Sequence, residues 1–98
     1  MRKPIFVDPN APTSVESRLG SGVQAWVFGS VAKGKTHPKS DLDVYISGPC
    51  AKKVEAKFFL TRPPAIFEGK VYPLHVIGPS IVSENDFLEV QPEARRIL

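Results

Sequence analysis

The sequence has one cysteine, Cys50, so no disulfide can form within the chain and no zinc site can be built from thiolates. Cys50 follows Gly48-Pro49 with no histidine or asparagine beside it, which suits a small filler at the end of a strand better than a nucleophile. No apolar run approaches the roughly 20 residues needed to span a bilayer. The first ten residues, MRKPIFVDPN, carry the charges of a signal peptide without the apolar stretch that should follow them. Internal repeats and low-complexity tracts are absent. A net charge of +3 suits an anionic ligand such as a nucleotide but is too small to imply nucleic acid by itself. These absences leave a soluble, cytoplasmic protein as the expectation. At 98 residues it is expected to form one domain over 1–98.

What is present is punctuated by ten prolines, about twice the usual share. Residues 1–12 read as an extended arm. Thr13-x-x-Glu16 has the form of a capping box and predicts a short helix that Gly20 closes. Gln24 to Phe28 is an apolar run that reads as a buried strand, with Trp26 in the core. After Gly29-Ser30, Val31 to Lys35 has room for one helical turn before Pro38. Asp41 to Ser47 alternates: Asp41, Asp43 and Tyr45 share one face, and Leu42, Val44 and Ile46 the other. That pattern predicts a half-buried strand with two carboxylates on its open face. Ala51 to Leu60 reads as a helix, and Arg62-Pro63-Pro64 as a break. Ile66-Phe67 and Lys70 to Ile77 read as a strand pair around Glu68-Gly69. Ser83 is placed to cap a last helix through Phe87 and Leu88, with Arg95-Arg96 facing solvent. The order predicts an α+β sandwich, a small mixed sheet packed by helices.

Two nucleotide-binding patterns overlap between residues 26 and 46. Gly29 to Thr36 spells G-x-x-x-x-G-K-T, the letters of a P-loop. A P-loop needs a long helix starting at its Lys-Thr, yet Pro38 follows Thr36 almost at once. It also needs a parallel sheet with several crossovers, for which the chain is short. The other pattern is Gly29-Ser30 followed by Asp41-x-Asp43. Two aspartates at i and i+2 on a strand repel one another, and a hard divalent cation relieves that repulsion. Glycine lets the backbone approach a phosphate, and Ser30 adds a hydroxyl donor. Phosphate grip on one side and cation on the other suit in-line attack on an α-phosphate.

The run Val27-Phe28-Gly29-Ser30, then Ala32-x-Gly34, then Ser40-Asp41-Leu42-Asp43, with residues 31–40 between the two halves, resembles the minimal nucleotidyltransferases of the DNA polymerase β superfamily. The resemblance is carried by residues 24–47. It implies the nucleotidyltransferase fold, a triphosphate bound at Gly29 and Ser30, and Mg²⁺ (or Mn²⁺) held by Asp41 and Asp43. Lys33, Lys35 and Ser40 join as candidate nucleotide contacts, with Lys33, Lys35 and Lys39 also readable as a solvated basic loop. The implied reaction moves a nucleoside monophosphate from a nucleoside triphosphate, ATP by expectation, to a hydroxyl on protein, RNA or a small molecule. Small members of the superfamily imply a partner protein, such as the HEPN-type RNase of a toxin–antitoxin pair, or a homodimer. The third carboxylate of the family pattern falls at Leu74-His75-Val76, where the central residue is histidine. Three outcomes stay open. His75 serves as the base, Glu68 supplies the carboxylate, or the domain binds nucleotide or a partner without transferring.

Overall fold

In a computed structural model, residues 11–36 and 39–98 are described. The expected arm at 1–12 lies almost wholly outside them, as do His37 and Pro38. The chain runs β1 (Thr13–Ser14), α1 (Val15–Leu19), β2 (Gln24–Phe28), α2 (Gly29–Ala32), β3 (Leu42–Ser47), α3 (Ala51–Phe58), β4 (Pro64–Phe67), β5 (Lys70–Ile77), α4 (Glu84–Val90) and β6 (Arg95–Arg96). The strands form one mixed sheet in the order β1-β4-β5-β3-β2-β6. The expected α+β class is thus the one observed.

Local chemistry sets the element ends. The cap of α1 is Ser14 rather than Thr13: its Oγ accepts from the Ser17 N–H at 3.2 Å. The shift has a cause in the sheet, because Thr13 and Ser14 pair in parallel with Ala65 and Ile66 and are held extended. Gly20 closes the helix as expected, with a φ of 75° and its N–H on the Glu16 carbonyl. Glu68 and Gly69 both take positive φ, 49° and 77°, giving the turn that matches strand twist in a tight hairpin. Ser83 caps α4 by accepting from the Asp86 N–H.

Strand β3 lies at the centre, antiparallel to β2 and parallel to β5, with Asp43 opposite Phe28 on one side and His75 on the other. One face of the sheet carries the main core, where Leu42, Val44, Ile46 and Leu74 meet Val15 of α1 and Phe58 of α3. The sheet curls enough that Arg95 on β6 lies 5.5 Å from the Phe67 ring of β4 and pairs with Glu68.

The second face corrects the expectation of an open strand face. Tyr45 is fully buried, stacked on Phe87 of α4 at 4.1 Å between ring centroids, with Trp26 tilted against both. The Tyr45 hydroxyl donates to the Val82 carbonyl at 2.6 Å, and Ser47 bonds Glu84. Burial, then the charges of Glu84 and Glu55, raises the Tyr45 pKa above its ordinary value. Helix α4 therefore covers only the Tyr45 half of this face and leaves the Asp41–Asp43 half uncovered.

Candidate active site

Three chain segments converge at the uncovered half-face because β2 and β5 flank β3. β2 ends at Phe28 opposite Asp43, so the turn into α2 begins beside that carboxylate. Gly29 has a φ of 75°, and a Cβ there would sit 2.5 Å from Asp43 Oδ2. Both backbone and space exclude a side chain at this position. Gly29→Ala is therefore expected to cost about 1–2 kcal/mol from the left-handed backbone alone. Displacement of the Asp43 carboxylate adds to that cost. Thermal melting of Gly29→Ala in the wild type and in an Asp43→Ala background checks this: the penalty shrinks in the second, because the clash partner is gone.

The other Asp43 oxygen, Oδ1, lies 3.1 Å from His75 Nδ1 on the neighbouring strand. Asp41, one residue ahead of β3, forms an ion pair with Arg62. All four side chains are partly exposed. In the ligand-free chain each carboxylate thus has a basic neighbour, Arg62 for Asp41 and His75 for Asp43. Nothing local in the sequence points to Arg62, since a pair 21 residues apart leaves no short pattern.

Helix α2 takes Ser30 into its first turn, and Phe28 gives it no side-chain cap, so its leading N–H groups lack an intrahelical partner. Lys33 and Lys35 line a recess of about 450 Å³ together with Ala32 and Glu93. Ser40 is buried at the entrance to β3 and engaged within the fold. On the far side of His75 a groove of about 710 Å³ runs between α3 and β5, with His75 and Arg62 on its wall and Phe59, Leu60 and Ile81 exposed along it. Beside the groove, β4 pairs with β5 over Lys70–Pro73, with Pro64 facing Pro73.

Glu68 is not brought to this site. It sits in the hairpin turn, paired with Arg95. The five residue steps from Lys70 to His75 set it about 16 Å or more away along the strand. Cys50 packs its sulfur where a Gly22 side chain would be, consistent with a filler.

Among the described residues no group of three or more Asp, Glu, His or Cys side chains converges as a metal cage. The donors present are two carboxylates on one strand face. They fit a magnesium ion of the kind held by one or two carboxylates and completed by substrate phosphates and water. The P-loop letters do not find their structure: α2 starts at Gly29 and ends at Ala32, so Lys35 and Thr36 follow the helix instead of opening it. Among the described residues no helix is long and apolar enough to cross a membrane.

A family model described as a nucleotidyltransferase domain matches residues 10–97. No curated protein and no solved structure matches the chain.

Proposed function

The chain belongs to the nucleotidyltransferase domain family, and from that premise we propose that it transfers a nucleoside monophosphate from a magnesium-bound nucleoside triphosphate, ATP in the first instance, to a hydroxyl acceptor. The observation that carries this reading is the position of Asp43 between Gly29 and His75. Oδ2 faces the glycine turn and Oδ1 faces the imidazole. A single carboxylate thereby joins the phosphate side of the site to the acceptor side.

Gly29 and Ser30 bind the triphosphate through the close-approaching backbone and the Ser30 hydroxyl, with Lys33 and Lys35 nearby to offset its charge. Asp41 and Asp43 are the residues that hold magnesium, which supplies charge stabilisation at the α-phosphate and the departing pyrophosphate. His75 donates Nδ1–H to Asp43, which leaves Nε2 as the basic nitrogen. The acceptor hydroxyl enters from the groove beside His75 and attacks the α-phosphorus. Its proton passes to Nε2 as the bond to the α–β bridging oxygen breaks, and pyrophosphate leaves. The groove, walled by Phe59, Leu60 and Ile81, suits an acceptor with an apolar body, such as a partner protein of the HEPN-type RNase class.

Incubation with α-labelled and γ-labelled ATP, Mg²⁺ and cell lysate tests the reading. The α label is expected on an acceptor and the γ label in pyrophosphate. His75→Ala should slow transfer about 100-fold, as for a lost general base. His75→Asp should preserve or raise it by restoring a third carboxylate. Nucleotide binding by the wild type with no transfer of the α label would sink the catalytic reading and leave a binding module.

A further inference from the structure

Arg62 is built into the site by features unrelated to nucleotide binding. The Pro63 carbonyl that follows it accepts from the Leu74 N–H at 2.9 Å, and the Thr61 N–H bonds the Phe58 carbonyl. The backbone around Arg62 is thus pinned between α3 and the edge of β5, next to His75. From there its guanidinium reaches the Asp41 carboxylate, while its side chain stays 55% exposed and so has room to leave. The same carboxylate is one of the two that fit a cation. A guanidinium and a divalent cation cannot both hold it at full strength, because each positive charge raises the cost of the other.

We propose that Arg62 is an exchangeable counter-ion for the cation site. It neutralises Asp41 in the ligand-free chain and gives the carboxylate up when nucleotide and cation arrive together. The released guanidinium, a rigid fork of five donors, then takes phosphate oxygens as its new partner. Arg62 thereby makes cation binding depend on nucleotide: a bare cation must displace it without compensation, whereas a triphosphate offers it a replacement. By linkage the same residue makes nucleotide binding depend on the cation. The inference rests on the reading of Asp41 and Asp43 as cation ligands, and its test separates the two.

Mn²⁺ binding is measured by electron paramagnetic resonance, at low ionic strength and without nucleotide, on the full chain. Wild type, Arg62→Gln, Arg62→Lys and Asp41→Asn are compared. Arg62→Gln is expected to bind Mn²⁺ roughly 3- to 10-fold more tightly, the range set by losing a partly exposed ion pair and a nearby like charge. Arg62→Lys keeps the charge and should stay near wild type, which a merely structural role for Arg62 would not require. Adding a non-hydrolysable triphosphate should narrow the gap between wild type and Arg62→Gln. Equal Mn²⁺ affinity in wild type and Arg62→Gln, with binding lost in Asp41→Asn, overturns the counter-ion role and leaves the cation site standing. Binding insensitive to Asp41→Asn, or no binding at millimolar Mn²⁺ in any variant, overturns the cation site and the counter-ion role together.

Discussion

Asp43→Asn is expected to lower nucleotidyl transfer by roughly a thousandfold, about 4 kcal/mol of transition-state stabilisation. The side chain is partly exposed and the replacement isosteric, so the fold should persist. What is lost is the negative charge that serves both neighbours. The amide is a weak ligand for a hard cation, and it no longer holds the Nδ1–H tautomer of His75 by charge. The measurement is the initial rate of α-label transfer alongside a thermal melt. A variant that melts like wild type and retains transfer within tenfold would place the chemistry away from this strand face.

The largest expected loss of stability comes from the other half of the same face. Phe87 is 3% exposed, stacks on Tyr45 at 4.1 Å and meets Phe28 edge-on at 5.1 Å. Phe87→Ala should cost about 3–5 kcal/mol, the usual range for removing a buried aromatic ring. That is a large part of the 5–15 kcal/mol typical of a whole domain. Urea titration should show the midpoint falling with little change in slope. The damage should reach the site as well, because Phe28 immediately precedes Gly29 and loses a supporting ring. A cost below about 1 kcal/mol would mean that α4 rests on the sheet without being packed into it.

That helix also marks the limit of what could be read from the sequence. The alternation from Asp41 to Ile46 told which side chains share a face, and β3 follows it with only the first residue displaced. Alternation says nothing about what covers a face. Alternation puts Tyr45 on the face of the aspartates, yet its ring is buried under Phe87, a residue more than forty positions on. The strands at Thr13–Ser14 and Arg95–Arg96 leave no sequence signal for a different reason. Two residues are too few to show a period, and what holds them is backbone pairing that any sequence supports. Ser14 caps α1 in place of Thr13 because β4 holds both residues extended and the helix begins only at Val15, a long-range effect that the local capping pattern does not contain.

The grouping of the candidate site residues is legible where their pattern is local. Gly29-Ser30 and Asp41-x-Asp43 are short patterns on adjacent elements, and pairing of β2 with β3 brings them together. His75 stands out only through the family resemblance, at the centre of Leu74-His75-Val76, and the parallel pairing of Asp43 with His75 brings the two side by side. The contact between Gly29 and Asp43 was only half visible. A glycine beside a phosphate pattern suggests a close approach, but the group being approached in the ligand-free chain is a carboxylate of the next strand. The pairing of Asp41 with Arg62, and of Glu68 with Arg95, depends on how the sheet curls and where a proline break lands. Neither is encoded in any window of neighbouring residues.

On the proposed reading, Asp41 and Asp43 hold a cation against a triphosphate gripped at Gly29 and Ser30. A crystal structure with Mn²⁺ and a non-hydrolysable ATP analogue tests it directly, through the anomalous signal of manganese. The expected result is a peak about 2.1–2.3 Å from oxygens of both aspartates, with phosphates against Ser30 and Arg62 turned away from Asp41. A peak distant from either aspartate, or phosphates cradled by Lys35 and Thr36, would contradict it.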